Sequence, residues 1–194
     1  AFRQYVLNSN GKRRKVEWMQ AYSEDWHPVL RHLLNDKMPS HVEVDTRVNF
    51  KFNKMKYLHS KDNATDPDIT IIPTSKNDFE NMTGNVIPKF FWNNSNDFIA
   101  NGKGYSLFYK NILAAMAFSS VVDGSNLELG IETKEQFRGK KLAYKVCSSL
   151  INYCLEKDLE PVWACRLTHV GSYKLAQKLG FEESLNTPYY KLNY

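Results

Sequence analysis

Two glutamates and a basic, glycine-bearing turn are the residues of this sequence best suited to chemistry. Glu128 and Glu132 stand four apart in Leu127-Glu128-Leu129-Gly130-Ile131-Glu132-Thr133. The turn Gln136-Phe137-Arg138-Gly139-Lys140-Lys141 follows within three residues. Leu127, Leu129 and Ile131 alternate with Glu128, Gly130 and Glu132, which predicts a strand with both carboxylates on one face. A carboxylate so placed can take a proton from an ammonium group, directly or through water. Beyond the turn, Leu142, Val146, Leu150 and Cys154, flanked by Ala143, Cys147 and Ile151, form an apolar stripe at helical spacing. They predict a helix over about 141–157. A helix N-terminus offers free backbone N–H groups and a partial positive charge to an anion. Gly139 lets backbone approach such a ligand closely, and Arg138, Lys140 and Lys141 add charge. The unit is suited to a phosphate, a pyrophosphate above all. Each piece alone is common: a carboxylate on a strand is more often solvated or ion-paired than catalytic.

The elements that must position this unit are legible on both sides of it. Tyr105 to Tyr109 and Ile112 to Val122 read as a hairpin joined at Lys110-Asn111, and Asp123-Gly124-Ser125-Asn126 as the next turn. Val162 to Arg166 reads as a strand. Gly171 to Leu179 reads as an amphipathic helix with Ser172, Leu175, Ala176 and Leu179 inward, closed by Gly180 with Phe181 behind it. Glu182 to Ser184 and Tyr189 to Leu192 make a final strand pair. Upstream, Val86 to Trp92 is short and apolar, and Ser95 caps a brief helix carrying Phe98 and Ile99 that Gly102 stops. Ser75 caps another through Phe79 and Met82, with Gly84 as its end. Ile69 to Ile72 is a strand closed by Pro73, and 61–68 is a polar turn. Val42, Val44, Val48, Phe50 and Phe52 mark a half-buried strand. Pro28 opens a short helix with Val29, Leu30, Leu33 and Leu34. Trp18, Ala21 and Tyr22 stand at helical spacing, and Lys12-Arg13-Arg14-Lys15 reads as a solvated helix start or turn.

With these elements in that order, the sequence resembles the GCN5-related N-acetyltransferase (GNAT) superfamily. Its cofactor motif, Gln/Arg-x-x-Gly-x-Gly/Ala, corresponds to Gln136-Phe137-Arg138-Gly139-Lys140-Lys141, followed by Leu142-Ala143. The likeness is strong over roughly 86–192. It is greatest for a branch that includes an antibiotic-resistance acetyltransferase acting on zwittermicin A. That branch shares Pro88, Phe91-Trp92, Asp97-Phe98, Gly102, the Gly130-Ile131-Glu132-Thr133 run, Tyr153-Cys154-Leu155, Pro161, Trp163 and Cys165.

The resemblance implies an α/β (α+β) GNAT fold: a mixed, mostly antiparallel central sheet flanked by helices and splayed between its fourth and fifth strands. An N-terminal α/β extension over 1–85 precedes an acyl-CoA-binding domain over 86–194. It further implies direct transfer of an acetyl group from acetyl-CoA to a primary amine of a small molecule, without metal. The pyrophosphate rests on the turn from Gln136 and Phe137 through Arg138, Gly139, Lys140, Lys141 and Leu142 to Ala143. The pantetheine arm pairs with Ile131, Glu132 and Thr133, with His169 and Ser172 on its far side. Glu128 ranks first as base and Glu132 second, with Tyr173 as the acid for the departing thiolate. Three positions depart from the family pattern. Lys141 stands where Gly or Ala is usual, so it either crowds the phosphate or binds it. His169 replaces a common Asn. Ala176 replaces the usual catalytic Tyr, with Tyr173 one turn earlier. These departures keep open a second reading, a non-catalytic GNAT-fold protein that binds acyl-CoA or serves as an interaction module.

Composition narrows the rest. The 194 residues hold 42% hydrophobic and 24% charged residues and carry a net charge of +5, ordinary values for a globular protein with an anionic partner. No recognisable nucleic-acid motif accompanies the basic run, so no nucleic-acid partner is expected. No apolar run is long enough to span a bilayer. The chain begins at Ala1 and shows no signal peptide, so a reducing cytoplasm is expected and Asn63, Asn81 and Asn93 in Asn-x-Ser/Thr triplets are read as chance. Cys147, Cys154 and Cys165 lack framework spacing and are expected as buried thiols, Cys165 included. The five histidines lack metal-ligand spacing. Trp92 and Trp163 are expected in the core. A monomer or homodimer is expected.

Overall fold

Strand alternation, hairpin turns and helix caps account for most of the architecture in the computed structural model, which describes residues 1–34, 42–60 and 65–194. Asn63, His41 and the first half of the polar stretch at 61–68 lie outside these residues. The hydrogen-bonded strand order is β1-β8-β2-β7-β6-β5-β4-β3. The strands are β1 Glu17–Gln20, β2 Val42–Phe52, β3 Ile69–Pro73, β4 Gly104–Tyr109, β5 Ile112–Asp123, β6 Asn126–Thr133, β7 Glu160–Arg166 and β8 Phe181–Leu192. Clustering divides the chain into two units, one of 50–163 with 174–182 and one of 1–49, 164–173 and 183–194.

The first of these contains the basic turn. Its β3, β4, β5 and β6 pair antiparallel in succession, and β6 pairs with β7 in parallel. Lys110 and Asn111 join β4 to β5, both at positive φ (50° and 64°), the backbone of a two-residue hairpin turn whose twist matches its strands. Residues 114–120 of β5 are all buried, because both faces of this strand are covered. Helix α6, Leu142–Glu156, follows the basic turn and packs on β4, β5 and β6. It buries Leu142, Val146, Cys147, Leu150, Ile151 and Cys154, the stripe read from the sequence. A second cluster of Phe79, Met82, Ile87, Phe98, Met116 and Phe118 includes residues of α4, Lys76–Asn81, and α5, Ser95–Asn101.

Local signals set most helix ends here. Ser75 and Asp78 form a reciprocal capping box at α4. That helix ends before Gly84, which has another use described below. The cap of α5 is Asn94 and not Ser95, since the Asn94 side chain accepts from the Asp97 N–H at 3.0 Å. Helix α3, Lys54–Ser60, was not expected from the sequence. Asn53 caps it by accepting from the Lys56 N–H, and Tyr57 is its one buried residue, donating to Asn152 Oδ1 at 2.8 Å. The N–H of Asn53 donates to the Gly180 carbonyl, and a Cβ on Gly180 would come within 2.7 Å of the Tyr57 nitrogen. Close approach as well as positive φ (85°) requires glycine there.

The second unit holds α1, Phe2–Val6, α2, Trp26–Leu34, β1 and most of β2 and β8. Val6, Leu7, Leu30, Val42, Tyr190 and Leu192 form its core. Four expectations are corrected here. Trp18 belongs to a strand, not a helix: Glu17 to Gln20 pair with Leu192 to Tyr189, and the Trp18 ring stacks on Tyr189 at 4.4 Å. Tertiary pairing overrides the local spacing. The last two strands are one, β8, which stays extended through Asn186-Thr187-Pro188. Arg13 in the basic run is buried, with 5% of its surface exposed. Its guanidinium donates to the carbonyls of Tyr5, Val6 and Asn193, so it staples chain segments together. Val44, read as inward, is half exposed.

Candidate active site

The turn between β6 and α6 carries two residues of left-handed backbone ahead of the helix. A single 3-10 turn, Glu135–Phe137, leads into Arg138. Gly139 has φ 80° and Lys141 φ 59°, both left-handed. A Cβ placed on Gly139 would meet nothing within 4 Å, so its backbone conformation, not crowding, favours glycine. Lys141 is the N-cap of α6, and its side chain makes no capping bond. The first amides of this 15-residue helix therefore lack the side-chain cap most helices use. An anion there gains about 0.3–1 kcal/mol from the helix dipole alone.

The basic side chains divide their work. Arg138 turns back towards β6, its Nε donating to the Thr133 carbonyl at 3.1 Å. Lys140 places its Nζ 5.6 Å from the centre of the Tyr109 ring, which also meets Phe137 edge-on at 6.1 Å. Thr133 Oγ1 is buried at the end of β6, and among the described residues it has no hydrogen-bond partner. An orphaned hydroxyl at the end of β6 and an uncapped helix start are each suited to a polar, phosphate-bearing group such as an acyl-CoA.

Glu128 and Glu132 differ sharply in surroundings. Among the described residues, the parallel register of β6 with β7 joins 126–128 to 160–162, and Glu128 faces Val162 at its end. The register with β5 continues to Ala115↔Thr133. Glu128 is partly exposed. Glu132 is 7% exposed and its carboxylate is fully engaged. Oε2 accepts from the Asn85 and Val86 amides at 2.7 and 2.9 Å. Oε1 accepts from the Thr133 amide at 3.1 Å and pairs with Arg138 Nη2 at 3.4 Å. A carboxylate has about four lone-pair sites, so four donors leave none for a substrate amine.

His169, Ser172 and Tyr173 belong to the other unit. His169 precedes α7, Val170–Lys178, and its carbonyl accepts the Tyr173 amide at 3.1 Å. Its imidazole contacts the Arg166 guanidinium. Burial lowers its pKa, Arg166 lowers it further, and Asp45 opposes both. Ser172 hydrogen-bonds Cys165, whose thiol burial pushes upward. The Tyr173 hydroxyl donates to Glu183 Oε2 at 2.6 Å. Sequence reading did not single out Glu183, and only the fold brings it to Tyr173. Ala176, in the place of the family's usual Tyr, is fully buried. Among the described residues no cluster of His, Cys, Asp and Glu fits a metal, and no helix is long and apolar enough to cross a membrane.

Comparison with known proteins bears on the family and the fold. The sequence profile of the GNAT acetyltransferase family matches residues 3–190. An N-acetyltransferase of Bacillus subtilis, YdfB, itself uncharacterized, is 33% identical over 92 residues, which cover 47% of this chain and 35% of that protein. The match thus spans about a third of the length of this curated relative. A GCN5-related N-acetyltransferase-like protein from Streptococcus suis shares the fold with a TM-score of 0.74 at 21% identity, over 91% of this chain and 71% of that one. A GCN5-related N-acetyltransferase from Kribbella flavida superposes at a TM-score of 0.60 and 11% identity, over 98% and 72%. With its profile matched over nearly the whole length and its mixed, mostly antiparallel eight-stranded sheet flanked by helices, this chain belongs to the GNAT acetyltransferase family.

Proposed function

We propose that the protein transfers an acetyl group directly from acetyl-CoA to a primary amine of a small molecule, in the cytoplasm. The observation that carries this reading is the uncapped start of α6 behind two left-handed residues, Gly139 and Lys141. Amides from Arg138 to Ala143 would hold the pyrophosphate, and the Thr133 hydroxyl would take a polar group of the pantetheine arm. Glu128, partly exposed on the same strand, is the proposed base. It takes the ammonium proton through water. The freed amine attacks the thioester carbonyl, the C–N bond forms, and the C–S bond breaks. Tyr173 then gives its proton to the departing thiolate, and the second proton of the attacking nitrogen leaves through water and restores the phenol.

Titration calorimetry with acetyl-CoA tests the cofactor half of the proposal. Micromolar binding is expected, and Gly139→Asp should abolish it by straining the backbone and adding a negative charge. An amine screen follows, in which Glu128→Gln should lower kcat by about 10²-fold or more with acetyl-CoA affinity retained. Absence of binding and of thermal stabilisation by acetyl-CoA or CoA would leave the non-catalytic reading.

A further inference from the structure

We infer that Glu132 is a positioning residue: its buried carboxylate couples the loop at 84–86 to the basic turn and holds that turn in its anion-binding form. The inference rests on the proposed acyl-CoA reading. Three chain segments meet on this one side chain. The loop donates two consecutive amides, those of Asn85 and Val86. β6 donates the Thr133 amide. The turn contributes Arg138, which also binds the Thr133 carbonyl through Nε. Arg138 is thus fixed at two points on the end of β6, one residue before Gly139. A buried carboxylate with every lone pair used is a rigid joint. Removing its charge weakens all its bonds together, because a partly satisfied buried network is costly.

The loop is shaped to fit this joint from the other side. Gly84 has φ 150°, and a Cβ built on it would lie 2.4 Å from Glu132 Cγ and Cδ. Glycine is needed there because the carboxylate occupies the space a side chain would take. The chain then runs from Val86 into buried Ile87 and Pro88, so the loop is anchored beyond the joint as well. A perturbation at residue 84 should therefore reach the turn at 138–141, although more than fifty positions separate them in sequence.

The test compares wild type with Glu132→Gln and Gly84→Ala by acetyl-CoA calorimetry and by amide NMR spectra without ligand. Glu132→Gln is nearly isosteric and keeps one acceptor oxygen, so it should stay folded. Its Kd for acetyl-CoA should rise about tenfold, and the amide resonances of Asn85, Val86 and Gly139 should all move. Gly84→Ala, if it folds, should move the Gly139 resonance too; if it does not fold, Glu132→Gln decides alone. Wild type that binds acetyl-CoA, with Glu132→Gln binding equally well or with Gly139 unmoved, would overturn the inference and spare the acyl-CoA reading. Wild type that does not bind would bring down that reading and this inference with it, even where the Gly139 resonance moves.

Discussion

The Tyr173 hydroxyl and the Glu183 carboxylate share one short hydrogen bond of 2.6 Å, and Asn186 holds the other Glu183 oxygen. The bond to Glu183 raises the Tyr173 pKa above its ordinary 10.0, helped by burial and by the nearby negative charge. The same bond, with that from Asn186, lowers Glu183 below 4.5. At neutral pH the pair is a phenol and a carboxylate. If Tyr173 supplies the thiolate's proton, its ionisation ends activity at high pH. Glu183→Gln removes the anion that opposes phenolate formation, so the alkaline limb of kcat should shift to lower pH. Tyr173→Phe should lower kcat about a hundredfold. A limb that stays in place in Glu183→Gln would dissociate the dyad from catalysis.

Lys141 caps α6 with φ 59° and ψ 14°, a left-handed backbone that costs a non-glycine residue roughly 1–2 kcal/mol. Glycine, one of the two residues the motif takes at this position, adopts this angle without strain. Glycine would relieve the strain but lose more backbone entropy on folding, about 0.5–1 kcal/mol. Lys141→Gly should therefore stabilise the fold by about 0.5–1 kcal/mol, read as a higher urea midpoint with an unchanged slope. Acetyl-CoA titration of the same variant separates the two readings of the side chain. Weaker binding means that the ammonium holds phosphate, and tighter binding means that it crowds it.

What the sequence made legible was local. The β4–β5 hairpin follows from Lys110-Asn111, the capping box from Ser75 and Asp78, and the buried face of α6 from spacing between Leu142 and Cys154. Each signal lies within one or two turns of chain. Residues whose role depends on distant partners were misread or missed. Trp18 looked helical until Tyr189 was beside it, and Arg13 looked solvated until the Asn193 carbonyl met it. Helix α3 has one buried residue, too few for a periodic stripe. The same limit governs the candidate site. The basic turn is contiguous and was readable, whereas the engagement of Glu132 needs the amides of Asn85 and Val86, and that of Tyr173 needs Glu183.

His169 makes stability depend on pH with a definite sign. Burial pushes its pKa below the ordinary 6.5, Arg166 adds to the effect, and Asp45 opposes it. The folded state thus binds the proton less readily than the unfolded chain. Above pH 6.5 neither state is protonated and the residue contributes nothing. As pH falls through 6.5 the unfolded chain takes up the proton first, so stability declines until the lower folded pKa is passed. Urea midpoints at pH 7.5 and 5.5 should therefore differ more in wild type than in His169→Asn. Equal differences in the two proteins would mean that Asp45 fully offsets burial and Arg166.

The three cysteines bear on whether transfer is direct. All are buried free thiols. Burial pushes Cys154 up to about 12 and Cys147 further still. Burial also raises Cys165, against the Ser172 hydrogen bond and the Arg47 charge. The thiolate is the attacking species, and a thiol with a pKa near 12 is ionised to about one part in ten thousand at pH 8. Native protein at pH 8 should release almost no chromophore from a disulfide thiol reagent, while denatured protein should release three equivalents. A covalent route through Cys165 would need an accessible thiolate. It would show itself as one fast equivalent in the native state, slowed by bound CoA, and as an acetylated protein 42 mass units heavier (about one acetyl group) after incubation with acetyl-CoA alone. Slow labelling of all three thiols and an unchanged mass are the outcomes expected for attack by the amine itself.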